Sequence, residues 1–154
     1  MKKLLFALFL IITTVSSQAQ EIKWMTLDEA LALQKKNPKP IFMDVYTDWC
    51  GPCKMLDKNT FQTKEVSEFI NATYYAVKFN GEGNSEVNYK GKKYTNPGYD
   101  ATRKGRNSMH EFTGFLNVEG YPSMYILDKN GDIAKVVVGY YQPEQLLAEL
   151  KTVK

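Results

Sequence analysis

The chain has 154 residues, a formal net charge of +3, 44% hydrophobic residues and 24% charged residues. That is room for one ordinary domain with a real hydrophobic core, so the fold does not need disulfide staples. The near-neutral balance gives no electrostatic case for a nucleic-acid partner.

Residues 1–19 read as a leader rather than as part of that domain. Lys2 and Lys3 precede an apolar run from Leu4 to Val15, interrupted only by Thr13 and Thr14, and Ser17-Gln18-Ala19 puts small residues at the −3 and −1 positions of a cleavage site. This is the layout of a secretory signal peptide. The run is shorter than the about 20 residues that a membrane-spanning helix needs, and no cysteine follows it to suggest lipid attachment. The mature chain is expected to begin at Gln20 with its charge reduced to +1. Its expected location is the periplasm, or the exterior of a cell without an outer membrane.

The spacing predicts a first helix over 26–36. Thr26 and Glu29 are set as a capping box, Leu27, Ala30 and Leu31 form an apolar stripe, and Asn37-Pro38 stops the helix. Residues 40–47 (PIFMDVYT) read as a strand buried on both faces, with one charge, Asp44, in its middle. A helix is expected from about Cys50, with Pro52 tolerated in its first turn. Thr63 opens a further helical piece that turns Val66, Phe69 and Ile70 inward. Residues 74–80 (YYAVKFN) form a second strand carrying one charge, Lys78.

Residues 81–107 depart from this pattern. They are rich in Gly, Asn, Lys and Tyr, and between Asn88 and Arg106 six basic residues stand against one acidic residue, Asp100. The stretch is long for a plain loop and reads as an insertion with a hairpin around Lys90-Gly91. Tyr89, Tyr94 and Tyr99 recur every five residues, which is neither helical nor strand spacing. Packing within the loop is the simpler reading, and a partner-recognition surface is the sharper one. Ser108 and Glu111 form a second possible capping box before Phe112, Phe115 and Leu116, with the lone His110 on the helix surface. Gly120-Tyr121-Pro122 is a turn, residues 124–128 a strand, Asn130-Gly131 a hairpin turn and residues 133–138 the returning strand. Pro143 opens a last helix with Leu146, Leu147 and Leu150 on one face. The order implies an α/β fold: a small mixed sheet, an antiparallel hairpin at one side, and helices on both faces.

Both cysteines lie in Cys50-Gly51-Pro52-Cys53. So short a loop constrains the unfolded chain very little, which makes a staple a poor explanation. Zinc normally takes four ligands, and the chain has one His and no other Cys. A redox pair is the better reading. At a helix start after a buried strand, unpaired amides and the positive dipole end favour a Cys50 thiolate. Cys53, one turn on, faces the same side and can resolve a mixed disulfide. Gly51 permits the tight turn and Pro52 forgoes an amide that would lack a partner. With no His between the cysteines, the site leans toward the reducing end of the scale.

These motifs resemble the thioredoxin family. Trp49-Cys50-Gly51-Pro52-Cys53-Lys54 follows a strand carrying Asp44. Val77-Lys78-Phe79-Asn80 resembles the thioredoxin strand with its buried Lys, Gly120-Tyr121-Pro122-Ser123 the cis-proline loop, and Lys129-Asn130-Gly131 with Gly139 the final hairpin. Lys39-Pro40, Asp48-Trp49 and Thr60-Phe61 are similar to the C-terminal periplasmic domain of DsbD. The resemblance covers residues 25–151 apart from the insertion. It implies a thioredoxin fold with a central mixed sheet flanked by helices and the insertion ahead of the cis-proline strand.

It also implies roles. Cys50 would be the exposed nucleophile, and Cys53 the buried resolving thiol. Asp44 would lie beneath them and relay a proton, with a raised pKa and Lys78 as its neighbour. Tyr121 and a cis Pro122 would flank the disulfide, and the Tyr121 backbone would pair with an extended substrate. Trp49 would cover one side, and Gly51 and Pro52 would complete the substrate-facing surface. No metal and no cofactor beyond the Cys50–Cys53 disulfide are expected. The expected partners are disulfide-bearing proteins and a membrane electron donor of DsbD type. The function this implies is reduction of protein disulfides. An oxidase or isomerase, or a module that holds a partner through the insertion, are the alternatives.

Overall fold

The computed structural model describes residues 21–153, so the expected leader and the expected mature start at Gln20 lie outside the described residues. In chain order the elements are β1 (Trp24–Met25), α1 (Leu27–Lys36), β2 (Ile41–Tyr46), α2 (Gly51–Leu56) continued by a π-helical turn (Asp57–Phe61), and α3 (Lys64–Thr73). There follow β3 (Tyr75–Asn80), the hairpin β4 (Val87–Tyr89) and β5 (Lys92–Tyr94), α4 (Glu111–Leu116), β6 (Ser123–Leu127), β7 (Ile133–Val138) and α5 (Pro143–Lys151). Among the described residues no helix is long and apolar enough to cross a membrane.

Five strands make one sheet in the order β1-β3-β2-β6-β7. The first three run parallel, and β6 and β7 join antiparallel. Flanked on both edges, β2 is buried from Ile41 through Val45, as its continuous apolar run predicts. Alternating side chains then sort the strands into two cores. Ile41, Met43, Val45, Val77, Phe79, Tyr125 and Leu127 pack with Leu27 and Ala30 of α1. On the other face, Phe42, Ala76, Met124 and Ile126 pack with Leu56, Val66, Ile70, Leu146 and Leu150 of α2, α3 and α5. The expected α/β sheet with helices on both faces is therefore present. The strand β1 is an addition: it is two residues long, too short to show any periodicity, and it exists because Trp24 and Met25 pair with Ala76 and Val77.

The insertion is built into the first core rather than laid over it. Lys90 (φ 49°) and Gly91 (φ 78°) make a two-residue turn with both residues in the left-handed region. The register pairs Val87 with Tyr94 and Tyr89 with Lys92. That turns Val87, Tyr89 and Tyr94 to one face, where each is at least 96% buried. The five-residue recurrence of tyrosines is thus a hairpin seen along the chain, and only Tyr99 is exposed. The Phe112 ring sits 5.5 Å from Tyr89, 5.2 Å from Tyr94 and 5.5 Å from Phe79. The Tyr89 hydroxyl donates to the Gly131 carbonyl at 2.7 Å, and Asn88 donates twice to Asp28 at the start of α1.

Two expectations about α4 are overturned. The Ser108–Glu111 capping box does not form, because the helix starts later, with His110 as its cap. His110 is fully buried rather than on the helix surface. Its Nδ1 accepts the Phe112 N–H at 3.0 Å, so the proton belongs on Nε2, which lies 2.6 Å from the Ser85 carbonyl. Glu111 instead accepts the Thr95 N–H at 2.7 Å. Both changes have one cause: the insertion folds back over the helix start and supplies partners that local spacing cannot show.

Phe112 joins the hairpin to the sheet, so Phe112→Ala is expected to lower the unfolding free energy by about 3–5 kcal/mol in urea denaturation. A loss below about 1 kcal/mol would mean that the insertion and α4 are not part of the cooperative core.

Candidate active site

At the end of β2 the Thr47 carbonyl accepts the Cys50 N–H at 3.1 Å, and the chain turns into α2 with Cys50 as its N-cap. Pro52 stands in the first turn, where its missing N–H costs nothing. Cys50 and Cys53 are joined in a disulfide with Cα atoms 5.3 Å apart. The Cys53 N–H donates to the Cys50 Sγ at 3.1 Å. After reduction this amide is already aimed at the sulfur that carries negative charge, which favours the thiolate.

The two cysteines do not differ in exposure as expected. Cys50 is 2% exposed and Cys53 3%. They differ in place: Cys50 lines a groove of about 550 Å³ together with Trp49, Gly51, Pro52 and Tyr121, and Cys53 is not part of that lining. Glu82, Arg106 and Met109, all supplied by the insertion and its return, close a further side of the groove.

The far wall carries the Tyr121-Pro122 peptide, which is cis. Trp49 and Tyr121 meet edge to face at 5.9 Å. Trp49 is held on its outer side as well. Its Nε1 donates to Glu82 Oε2 at 2.8 Å, and the Arg106 guanidinium lies 4.1 Å from its ring centre. Gly81 lets these parts close up, since a Cβ there would stand 2.7 Å from the Tyr121 hydroxyl oxygen.

Asp44 and Lys78 are neighbours in the parallel β2–β3 register, on the sheet face that Leu56 of α2 covers. The Lys78 ammonium is 2.8 Å from Asp44 Oδ2 and also pairs with Asp57 in the π-helical turn. The rings of Trp24, Tyr46 and Phe61 lie 4.8–5.2 Å from it. Asp44 is 1% exposed, and its Oδ1 meets no hydrogen-bond partner among the described residues. Burial pushes the Asp44 carboxyl up from 3.8 to about 6; the Lys78 charge offsets part of that rise, and Asp57 adds to it. Burial pulls the Lys78 ammonium down, but Asp44 and Asp57 together outweigh it and leave its pKa above the ordinary value. A carboxylate half-protonated near pH 6 with one unused oxygen is a proton acceptor suited to neutral conditions.

Asp57, Glu82 and Arg106 are absent from the sequence-based site. Asp57 stands four residues after Cys53, a helical spacing that would have found it. Glu82 and Arg106 lie 24 residues apart in an aperiodic segment, and nothing local points to their meeting at Trp49. Among the described residues no cluster of His, Cys, Asp and Glu could hold a metal ion.

The raised Asp44 pKa fixes the sign of a stability effect. The folded state binds the proton more tightly than the unfolded chain, so this contribution is complete below about pH 4 and is lost as pH rises through about 6. Asp44→Asn removes that loss. The oxidised variant is expected to exceed the parent by about 3 kcal/mol at pH 7 and to match it within about 1 kcal/mol near pH 4 in denaturant titrations. Equal stabilities at pH 7 would contradict a burial-raised carboxyl.

Comparison with known proteins agrees with this geometry. The chain is 39% identical over 64 residues to the thiol:disulfide interchange protein DsbD of Citrobacter koseri, a match that covers 40% of this chain and 11% of that protein. The chain thus spans about a tenth of the length of the curated DsbD relatives it matches. A putative disulphide-isomerase from Bacteroides thetaiotaomicron superposes with a TM-score of 0.61 at 25% identity, covering 88% of this chain and 94% of the other. The reduced C-terminal domain of Neisseria meningitidis DsbD superposes with a TM-score of 0.55 at 16% identity, covering 83% and 94%. Residues 27–154 match the family model of the thioredoxin-like domain, and with its Cys50–Cys53 pair the chain belongs to the thioredoxin-like family as a thiol–disulfide oxidoreductase.

Proposed function

We propose that this protein is an exported reductase of protein disulfides, working in the periplasm or outside the cell. The observation that carries the reading is the Cys53 amide aimed at a Cys50 sulfur that lines the groove, with a buried proton acceptor on the sheet face below α2. The leader-like residues 1–19 support export, and the likeness to DsbD supports an extracytoplasmic partner.

In this reading the Cys50 thiolate attacks one sulfur of a substrate disulfide. The substrate S–S bond breaks, a Cys50–substrate disulfide forms, and the departing substrate thiolate takes a proton from water. Cys53 gives its proton to Asp44 and attacks Cys50. The Cys50–Cys53 bond forms, the mixed disulfide breaks, and the second substrate sulfur leaves as a thiolate that takes a proton from water, while Asp44 returns its proton to solvent. Two electrons pass from the protein to the substrate. The dithiol carries them without a further cofactor, and Lys78 stabilises Asp44 between proton transfers. The Tyr121 backbone pairs with the extended substrate segment, Pro122 borders the disulfide, and Trp49, Gly51 and Pro52 form the opposite lip. The oxidised protein then needs a reductant, for which a membrane electron donor of DsbD type is the fitting class.

Cys50→Ser is expected to abolish turnover, and Cys53→Ser to accumulate substrate-linked adducts on non-reducing gels; turnover by the first variant would sink the mechanism. The equilibrium potential of the wild-type pair, titrated against glutathione through Trp49 fluorescence, is expected near about −270 mV. A value near about −120 mV would make the protein an oxidant. Deleting the insertion does not separate these readings, because Val87, Tyr89 and Tyr94 belong to the core.

A further inference from the structure

We propose that Arg106 is a specificity determinant: the insertion adds a groove wall on which this guanidinium stands beside Glu82, and Arg106 receives a carboxylate of the extended segment that carries the substrate cysteine past Cys50. The inference rests on the reductase reading above and names its substrate class, an acidic, extended cysteine segment.

The shape comes first. Two sides of the groove are formed by residues 49–52 and 118–121, and a third by Glu82, Arg106 and Met109. Cys50 lines this groove at only 2% exposure, which suits a narrow extended segment better than a broad folded surface. Met109, 62% exposed on the same wall as Arg106, offers such a segment an apolar contact.

The charge comes second. The chain next to Arg106 is anchored, and the Arg106 guanidinium rests on a ring. Its neighbour Asn107 donates its N–H to Glu82 Oε2 at 2.7 Å, and its guanidinium rests on Trp49, which donates to the same oxygen. Glu82 therefore holds the wall through two N–H groups and forms no ion pair with Arg106 within 4.0 Å. In the same basic stretch Lys90 pairs with Asp132, Lys93 with Glu86 and Arg103 with Asp100. Arg106 has no carboxylate partner among the described residues. A guanidinium stacked on a ring keeps its N–H donors in its own plane, where they fit a carboxylate in a fork. Two carboxylates share the groove with Arg106: Glu82, whose Oε2 already accepts from Trp49 and Asn107, and Glu119 beside Val118 and Gly120, so only a substrate carboxylate that reaches Arg106 itself gains and the preference is one-sided.

The test uses dithiothreitol-reduced full-length protein freed of excess reductant. The probes are decapeptides with one cysteine in a mixed disulfide with 2-mercaptoethanol. One peptide is neutral, one has two glutamates before the cysteine, and one has two after it. Rates are followed by tryptophan fluorescence at low ionic strength, and each glutamate rate is divided by the neutral rate within the same variant, so that a general loss cancels. In the wild type one glutamate peptide is expected to be reduced about fivefold faster than the neutral one, and added salt is expected to shrink the gain. Arg106→Gln brings that ratio to about one, and Arg106→Glu brings it below one. If both glutamate peptides react at the neutral rate, or if the gain survives Arg106→Gln, the inference is overturned while the reductase reading stands. If even the neutral peptide is not reduced, both fall.

Discussion

The ion pair between Asp44 and Lys78 is the interaction around which the site is arranged. An ion removed from water costs several kcal/mol unless it is paired, so a carboxyl 1% exposed at the middle of a sheet needs a neighbour of fixed position. The parallel register of β2 and β3 supplies one by placing the two residues side by side. The surroundings then follow. β1 brings Trp24 to the Lys78 ammonium, and the π-helical turn after α2 brings both Asp57 and Phe61. Short π-helical segments are common at functional sites, and this one sets a second carboxylate against the same cation. The pairing is incomplete: among the described residues Oδ1 of Asp44 meets no partner, and burial pushes the carboxyl up to about 6 despite the Lys78 charge.

The Lys78 cleft and the Cys50 groove are separate surfaces. Lys78 and Asp57 open onto a cleft with Trp24 and Phe61, which shares no residue with the groove at Cys50. The helix start lies between them. Its Cys50 end faces the groove, and Leu56 at its other end packs into the core that contains the Asp44 face of the sheet.

The insertion belongs to both the core and the site. Its hairpin completes the packing around Phe112, its return caps α4 through His110, and its last residues wall the groove. Asn96 holds this return in place with bonds to the carbonyls of Gly83 and Ser108 at 2.9 and 2.7 Å. One segment thus couples the stability of the fold to the shape of the groove at Cys50.

The sequence alone determined the α/β order, the redox pair, the lone charges Asp44 and Lys78 in apolar strands, and the Lys90-Gly91 turn. Each is written in short-range spacing: a strand buried on both faces reads as an apolar run, a cysteine pair three apart spans one helical turn, and a two-residue hairpin needs residues that tolerate positive φ. The Asp44–Lys78 neighbourhood was implied by the family resemblance and by no local spacing; only the tertiary structure decided that Asp57 joins that pair, that His110 is buried, that Cys50 is covered, and that Glu82 and Arg106 meet at Trp49. Those contacts join residues distant in the chain, or depend on a segment folding back over its neighbour. No local periodicity records such a meeting, because strand register and the burial of a whole surface are set by the packing of the complete chain.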